Sequence, residues 1–412
     1  MHIRLNSKDI VFNSPVVVNA SKSIANRALM IKAISGLPIQ ISNLSISEDT
    51  IVLKNALTSI AKNDTEINVG HAGTSFRFLT AYLSFLPDKN FILSGSERMH
   101  QRPIKELVQA LNQLGAKIEY LEKHGYPPLK ITGQKKCKNQ CTIKANISSQ
   151  YISALMLVAP SLKNGLTIFL ENEISSEPYI KMTAEIMKLF SAEVKIFESK
   201  IVIEPKPYKY NSITIEGDWS SASYWYNWLV LSKESVLNIE GVNLKSIQGD
   251  AICANIFNSF GIETIAHEFG IKLQKVSGFQ LPQHFEYNFS NCPDLAQTII
   301  TLCAGLNISG SFTGLHSLPL KESNRIIDLK TELNKLGNAI TVTSNSFILE
   351  KRIYDLPKSI TFNTYNDHRM AMCLSTLSVL IPEVYISNPE VIIKSYPNYW
   401  DELKKCGVLI YE

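Results

Sequence analysis

The sequence predicts an α/β fold with two domains, each made of three repeated α/β units that contain mixed sheets. One observation is a helix-and-hairpin pattern that recurs at regular intervals. The other is the length of 412 residues, which exceeds the size at which a single hydrophobic core usually stops growing. With 45% hydrophobic and 19% charged residues, the chain has the composition of a folded globular protein.

The repeated pattern consists of an amphipathic helix, a pivot residue, and two strands in which apolar and polar residues alternate. The pivots are spaced 76, 70, 76 and 70 residues apart, and they are Gly115, Ser191, Gly261, Gly337 and Gly407. Glycine suits this position because the left-handed backbone that ends many helices has no Cβ penalty there. A weaker first copy ends near Ala61, so we expect six units of about 70 residues each.

The hairpin in each unit requires antiparallel neighbours, so the sheets should be mixed rather than purely parallel. The midpoint of the repeat series lies between Ser191 and Gly261, where Glu216-Gly217-Asp218 has turn chemistry suited to a crossover. We therefore expect one domain over residues 14–216 and the greater part of a second over residues 217–412.

Charge and cysteine usage exclude several classes of protein. The net charge of +4 is too small to indicate a nucleic-acid-binding surface, but it suits a protein that binds small anionic substrates. The most apolar segment, residues 370–381, is shorter than a membrane span and contains serines and a threonine. The N-terminus has no apolar signal region, and the seven scattered cysteines suit a reducing compartment. We expect a cytoplasmic protein without a metal site, even at Cys137 and Cys141.

Polar or basic clusters occur at the predicted strand-to-helix turns. In chain order they are Asn19–Arg27, Gly70–Arg77, Ser96–Ile104, Ser148–Gln150, Ser175–Tyr179, Asn291–Asp294, Leu320–Arg325, Asn366–Met372 and Lys394–Pro397. Each one alone is explained by a helix cap or by an ordinary ion pair, such as Glu322 with Arg325. Helix N-termini that carry hydroxyls and cations also bind anions. Their shared placement favours a pocket for several anions.

These clusters carry motifs that resemble, in order, those of the EPSP synthase family. The motifs are SKSIANR, GHAGTSFR, ERMHQRPI, SSQYISALM, SSEPYI, GDWSSASYW, CPDLAQT, LKESNR, YNDHRMAM and KSYPNYW, between about residues 4 and 405. The resemblance implies the enolpyruvyl transferase fold, an inside-out α/β barrel of two domains joined by two crossovers, with mixed sheets around buried helices in each domain. It also implies that residues 1–13 join the second domain and that the active site lies in the interdomain cleft.

The activity implied by the resemblance is transfer of the enolpyruvyl group of phosphoenolpyruvate to the 5-hydroxyl of shikimate 3-phosphate. The reaction proceeds by addition and elimination through a tetrahedral intermediate, in aromatic amino acid biosynthesis, without a cofactor or metal. The partners implied are these two small molecules, with no nucleic acid and no membrane, and the chain is expected to be a monomer. Two phosphates and two carboxylates would require a dense set of cations.

The resemblance also assigns site residues by their position in the motifs. Shikimate 3-phosphate is expected at Lys22, Ser23, Arg27, Ser148, Ser149, Gln150, Ser176, Tyr179, Asp294, Ser317 and Lys321. Phosphoenolpyruvate is expected at Lys22, Gly73, Thr74, Arg102, Gln150, Glu322, Arg325, His368, Arg369 and Lys394. The catalytic candidates are Asp294 for the hydroxyl proton and Glu322 or Lys22 for the proton at C3. Four residues depart from the family pattern. His71 and Ser317 stand where the family commonly has Asn, Phe78 where it has Pro, and Asn324 where it has Asp.

Two other functions fit the same fold. The sister enzyme that transfers enolpyruvyl to UDP-N-acetylglucosamine usually has Lys followed by Asn and a cysteine in a mobile loop. Here Lys22 is followed by Ser23, and no cysteine lies between Ile92 and Ile104. A non-catalytic anion-binding or RNA-associated protein is the second alternative, since fold alone does not determine function.

Overall fold

The computed structural model describes residues 2–7 and 10–411, so Met1, Lys8, Asp9 and Glu412 of the predicted domain ranges lie outside the described residues. The α-helices within it are α1 (Lys22–Ser35), α2 (Glu48–Ala61), α3 (Gly73–Ser84), α4 (Glu97–His100), α5 (Lys105–Gln113), α6 (Ser149–Val158), α7 (Glu177–Leu189), α8 (Trp219–Leu231), α9 (Cys253–Asn258), α10 (Ala296–Gly305), α11 (Arg325–Asn334), α12 (His368–Ser375) and α13 (Tyr399–Lys405). None of the described helices is both long and apolar enough to cross a membrane.

The strands of the first half, in chain order, are β1 (His2–Asn6), β2 (Val16–Val17), β3 (Gln40–Ser42), β4 (Glu66–Asn68), β5 (Asn90–Ser94), β6 (Lys117–Tyr120), β7 (Leu129–Thr132), β8 (Gln140–Lys144), β9 (Leu166–Glu171), β10 (Val194–Ile196), β11 (Lys200–Ile203) and β12 (Ser212–Thr214). Those of the second half are β13 (Val236–Glu240), β14 (Ile262–His267), β15 (Gly270–Lys275), β16 (His284–Asn288), β17 (Ser309–Thr313), β18 (Ile340–Val342), β19 (Phe347–Leu349), β20 (Ser359–Phe362), β21 (Glu383–Ser387) and β22 (Leu409–Tyr411).

The chain divides into two compact units. The N-terminal unit is Lys22–Ile215, and the C-terminal unit combines the residues up to Ser21 with those from Glu216 onward. Residues 14–21, which the sequence analysis placed in the first domain, therefore lie in the C-terminal unit. The reason is that β2 pairs in parallel with β13, with Val16 opposite Ile239.

Five four-stranded sheets share one topology. In each of them, the first and second strands across the sheet are parallel. The second and third strands are antiparallel, and so are the third and fourth. The sheet orders are β4-β5-β7-β6, β8-β9-β11-β10, β2-β13-β15-β14, β16-β17-β19-β18 and β20-β21-β1-β22. The helix and hairpin of each repeat thus form mixed sheets, as the sequence predicts.

The N-terminal strand completes the last of these sheets. β1 lies between β21 and β22 and is antiparallel to both, with Leu5 opposite Val384 on one side and Ile410 on the other. β1 therefore takes the place in this sheet that the second hairpin strand of a repeat takes in the other four. The first repeat differs more strongly, because its sheet consists only of β3 and β12 in parallel.

All five pivot residues have the left-handed backbone that the sequence analysis predicts. Their φ angles are 99° at Gly115, 69° at Ser191, 74° at Gly261, 89° at Gly337 and 80° at Gly407. In the weaker first copy the left-handed residue is Asn63, with φ of 70°, and not Ala61, which is the last residue of α2. Asparagine tolerates this conformation better than most residues.

Buried helices form the centre of each unit: α1, α3 and α6 pack together in the N-terminal unit, and α8, α10 and α12 in the C-terminal unit. Every residue of α10 and α12 is buried, including the polar side chains of Gln297, His368 and Arg369 near their N-termini. Thr74, Gln150 and Ser220, near the N-termini of α3, α6 and α8, are only partly buried. The helix N-termini of each unit therefore present polar groups and backbone N–H donors.

Candidate active site

The first group of predicted site residues, which we call the N-terminal cluster, lies at the N-terminal turns of α1, α3, α6 and α7. Lys22 is the first residue of α1. Its Nζ lies 3.1 Å from Oδ2 of Asp49, in the first turn of α2. Both side chains are largely buried, so this ion pair fixes the lysine more firmly than an exposed pair would. Sequence analysis did not identify Asp49.

Arg27 is a buried cation surrounded by neutral groups. Its Nε donates to Oγ1 of Thr183 at 2.7 Å, Nη1 to the carbonyl of Ser23 at 2.8 Å and Nη2 to Oγ of Ser153 at 3.3 Å. No carboxylate in residues 2–7 or 10–411 forms an ion pair with Arg27. Burial lowers its pKa to about 10, with Tyr179 opposing the shift. A bound anion would offset the cost of burying this charge.

Arg102 is the second buried cation of this cluster, and it lies against Gly73. A Cβ atom on Gly73 would be 2.5 Å from Nη1 and 2.8 Å from Cζ of Arg102. Nε of Arg102 is buried and has no hydrogen-bond partner among the described residues. The glycine therefore leaves room for the guanidinium at the N-terminus of α3, where backbone donors add to its positive charge.

Gln150 connects α6 to α3, because its Nε2 donates to Oγ1 of Thr74 at 3.1 Å. Ser148 caps α6, its Oγ accepting from the backbone N–H of Gln150 at 3.3 Å. Ser149 follows as the first, buried residue of the helix. The predicted Ser-Ser-Gln segment thus places hydroxyl and amide groups beside the first turn of α3.

Ser176 precedes α7 in a left-handed conformation, with φ of 57° and ψ of 44°. A non-glycine residue in this region costs of the order of 1 kcal/mol and is commonest where function requires it. Tyr179 lies in the first turn of α7, and its carbonyl accepts from Oγ1 of Thr183 at 2.7 Å. Since Thr183 also binds Arg27, α7 is joined to the same cation as α1 and α6.

The second group, the C-terminal cluster, is organised around Arg325, the first residue of α11. Its Nε donates to Oδ2 of Asp367 at 2.7 Å, its Nη1 to Oδ1 of Asp294 at 2.9 Å and its Nη2 to Oε2 of Glu322 at 2.7 Å. The side chain is 1% exposed. Burial alone would lower the pKa of Arg325, but the three carboxylates outweigh it and raise the pKa above its ordinary value.

Asp294 lies just before α10 and contacts three cations. Besides Arg325, Nη2 of Arg369 lies 3.0 Å from Oδ2 and Nζ of Lys321 lies 3.5 Å from Oδ1. Burial alone would raise the pKa of Asp294, but Arg369, Lys321 and Arg325 hold it well below the ordinary value. The group is therefore an ionised carboxylate at neutral pH, and neutralising its cations would make it a stronger base.

The remaining predicted residues of the C-terminal cluster complete this ion-pair network. Nζ of Lys394, a buried residue, lies 4.0 Å from Oε1 of Glu322. Asp367 caps α12, and its Oδ1 accepts from the backbone N–H of Arg369 at 2.9 Å. Nδ1 of His368 lies 3.8 Å from Asp367. Alternating positive and negative side chains in this arrangement can hold an anion and exchange a proton with it.

Asp250 belongs to the same network and was not predicted. It accepts a hydrogen bond from Oγ of Ser220, and Nη2 of Arg369 donates to the same Oγ at 3.4 Å. Burial, together with the negative charges of Asp294 and Asp218, raises the pKa of Asp250 to about 7, although Arg369 and the hydrogen bond from Ser220 oppose the shift. The signal in the sequence was its position at a strand-to-helix turn after β13, the placement shared by the recognised clusters.

The raised pKa of Asp250 makes stability depend on pH with a definite sign. The folded state holds the proton more tightly than the unfolded chain, so this contribution is complete below about pH 4 and is lost as the pH rises through about 7. Asp250→Asn carries no such proton. We expect the unfolding free energy of the wild type minus that of Asp250→Asn, measured with urea, to fall between about pH 4 and pH 7.

Asp401→Asn is the control for that series, because Asp401 is exposed on α13. Its unfolding free energy should follow that of the wild type at every pH. Parallel curves for the wild type and Asp250→Asn would contradict the raised pKa.

The structure joins most of the predicted residues by direct contacts within their own unit, but not all of them. The hydroxyl of Ser317 has no hydrogen-bond partner among the described residues. Of the other departures from the family pattern, His71 contacts Oγ of Ser96 at 2.9 Å through Nδ1. The ring of Phe78 lies under the Arg27 guanidinium, 5.4 Å from its centroid. Asn324 caps α11.

The sequence is similar to that of a family of known enzymes. The profile of the family described as EPSP synthase (3-phosphoshikimate 1-carboxyvinyltransferase) matches residues 10–403. A 3-phosphoshikimate 1-carboxyvinyltransferase from Bacteroides fragilis strain YCH46 is 43% identical over 390 residues, which cover 94% of each chain. One from Colwellia psychrerythraea strain 34H is 33% identical over 420 residues, covering 95% of this chain and 96% of the other.

The fold is also similar to that of a solved structure. EPSP synthase from Acinetobacter baumannii aligns over 100% of both chains with a TM-score of 0.77. At 18% identity this similarity concerns the fold alone, and it confirms the predicted fold class.

Proposed function

Because the chain belongs to the EPSP synthase (3-phosphoshikimate 1-carboxyvinyltransferase) family, we propose that it transfers the enolpyruvyl group of phosphoenolpyruvate to the 5-hydroxyl of shikimate 3-phosphate. The products are 5-enolpyruvylshikimate 3-phosphate and phosphate. The reaction belongs to the shikimate pathway of aromatic amino acid biosynthesis. We further propose that the enzyme acts in the cytoplasm, as a monomer, on these small molecules without nucleic acid or a membrane.

The observation that carries this proposal is the distribution of charge in the two clusters. The N-terminal cluster holds two buried cations, Arg27 and Arg102, that form no ion pair with a carboxylate of the described chain. Substrates with two phosphates and two carboxylates would supply such anions. The C-terminal cluster adds carboxylates beside cations, which an enzyme that moves protons requires and a simple anion binder does not.

We assign removal of the 5-hydroxyl proton to Asp294. As this proton leaves, the 5-oxygen bonds to C2 of phosphoenolpyruvate and a proton is added at C3, giving a tetrahedral intermediate with a methyl group. Loss of a C3 proton then breaks the bond between C2 and the phosphate oxygen and restores the double bond. We assign the transfers at C3 to Glu322 or Lys22. Substrate anions that engage Lys321 and Arg369 would weaken their hold on Asp294 and raise its basicity.

The proposal requires both clusters to act on the same pair of substrates. Residues assigned to phosphoenolpyruvate occur in both units, from Gly73 and Arg102 in one to Arg369 and Lys394 in the other. Substitutions in either cluster should therefore alter the kinetics of the same reaction. Gly73→Ala tests the first cluster, and Asp294→Asn, treated in the Discussion, tests the second.

Gly73→Ala is expected to raise the KM for phosphoenolpyruvate by about tenfold or more, since small displacements of a binding group are costly. The added methyl group would lie 2.5 Å from Nη1 of Arg102, and a flexible side chain can move away without unfolding the protein. Initial rates at varied phosphoenolpyruvate measure the effect. Gly305→Ala is the matched control, because the three atoms nearest to its methyl group belong to leucine side chains rather than to a cation, with Cδ2 of Leu377 at 2.8 Å. Equal KM values in the wild type and Gly73→Ala would remove Arg102 from the site.

The activity itself is tested by phosphate release from phosphoenolpyruvate with three different acceptor conditions. Release is expected with shikimate 3-phosphate and not with UDP-N-acetylglucosamine or without an acceptor. Release with UDP-N-acetylglucosamine alone would identify the sister activity. Folded protein that binds shikimate 3-phosphate but releases no phosphate would instead be a binding protein.

A further inference from the structure

The turn that leads into α12 has an unusual backbone. Tyr365 and Asn366 are consecutive non-glycine residues with φ of 53° and 55°. This backbone costs of the order of 1 kcal/mol at Tyr365 and less at Asn366, since asparagine tolerates it better, so the surroundings must hold Tyr365 in place. The turn is immediately followed by Asp367, which caps α12, and by Arg369, which contacts Asp294. Its conformation therefore determines where two members of the C-terminal cluster lie.

Glu332 holds this turn from the side of α11. Its Oε1 accepts from the hydroxyl of Tyr365 at 2.6 Å, and its Oε2 accepts from the backbone N–H of Asn363 at 3.0 Å. Its side chain is fully buried. The proposed reaction makes no use of this buried carboxylate, and burying one is costly unless hydrogen bonds and an opposite charge compensate. Here the carboxylate binds the first residue of the left-handed pair and Asn363, two positions before it.

The same helix holds the segment at its other end. Arg325 and Glu332 are seven residues apart, two helical turns, so their side chains lie on one face of α11. Arg325 binds Asp367 at 2.7 Å and 3.3 Å, while Glu332 binds Asn363 and Tyr365. One face of a single helix thus fixes the segment 363–367 at both ends.

We propose that Glu332 is a positioning residue, which acts through Tyr365 and Asn363 to hold the turn that places Asp367 and Arg369 in the C-terminal cluster. Its effect on turnover rests on the proposed function, whereas its effect on the turn does not. A role in stability alone is the competing explanation, because Glu332 also forms an ion pair with Lys335, Nζ to Oε2 at 2.6 Å.

Tyr365→Phe is the first test, because it removes one hydrogen bond to a charged group and leaves the ion pair with Lys335. We expect kcat/KM for phosphoenolpyruvate to fall by about tenfold, the equivalent of one such hydrogen bond. Backbone amides of residues 364–369 should exchange hydrogen faster. Lys335→Met is the matched control, since it removes the ion pair and the Lys335 hydrogen bond to the carbonyl of Thr361 but leaves the contacts of Glu332 with the turn, and its kcat/KM should stay within about twofold.

Glu332→Gln and the double variant complete the experiment. If Glu332 acts through Tyr365, the double variant should lose less in kcat/KM than the product of the two single effects. Multiplicative effects, or a Tyr365→Phe enzyme with wild-type kinetics and wild-type exchange, would overturn the proposal. If the wild type shows no transferase activity, the proposed function fails, and the exchange of residues 364–369 in Tyr365→Phe still decides whether Glu332 holds the turn.

Discussion

Asp294→Asn is expected to lower kcat by about 10³-fold, the size of effect typical for a general base. The amide has the shape of the carboxylate and can still accept hydrogen bonds from Lys321 and Arg325, but it cannot take the proton of the 5-hydroxyl. The affinity for shikimate 3-phosphate should change much less. Rapid-mixing measurement of phosphate release, together with calorimetric titration of shikimate 3-phosphate, separates the two quantities.

Glu383→Gln is the control for the loss of one carboxylate charge. Glu383 pairs with Arg4 at 3.6 Å on the surface of the C-terminal unit, and its side chain is 47% exposed. Its kcat should equal that of the wild type. An Asp294→Asn enzyme that retains a third or more of the wild-type kcat would show that another group removes the proton.

Arg325→Met is expected to lower the free energy of unfolding by about 3–5 kcal/mol, because it removes the cation shared by three buried or half-buried carboxylates. Asp294 would retain Arg369 and Lys321, but Asp367, which is fully buried, would lose its shortest ion pair. Methionine retains most of the side-chain volume, so the loss reports on charge rather than on a cavity. Urea unfolding at neutral pH measures it.

The matched variant is Arg4→Met, which removes an arginine from an ion pair whose side chains are 39% and 47% exposed. Such a pair contributes at most about 1 kcal/mol, so this variant should unfold close to the wild type. Similar unfolding free energies for Arg325→Met and Arg4→Met would mean that the three carboxylates do not depend on Arg325.

The repeat architecture was predictable because it depends on local signals. Hydrophobic periodicity and a left-handed residue after the helix are properties of short segments, and Gly115 through Gly407 all adopt the predicted backbone. The pairing of β2 with β13 was not predictable, since two residues, Val16 and Val17, carry no pattern that identifies a distant partner. The reduced first sheet, β3 with β12, was missed for the same reason.

The motifs that carry the site residues were predictable from the sequence, but the residues that each of them contacts were not. Glu322 and Arg325 form the ion pair that their spacing suggests, yet the same guanidinium also binds Asp294 and Asp367 from other elements. Asp49, Asp250 and Glu332 are carboxylates whose role depends on which cation or turn the fold brings to them. These contacts join segments that are distant in the sequence, so they could not be predicted from local patterns in a single sequence. The assignment of individual residues to each substrate stays a prediction.

The central claim is that this chain joins the two substrates covalently, and product analysis by ¹H and ³¹P NMR tests it most directly. The full chain, mixed with phosphoenolpyruvate and shikimate 3-phosphate, is predicted to yield the vinyl protons of an enolpyruvyl ether on the 5-oxygen. One inorganic phosphate should appear for each phosphoenolpyruvate consumed. Hydrolysis of phosphoenolpyruvate to pyruvate and phosphate, with shikimate 3-phosphate unchanged, would contradict the claim.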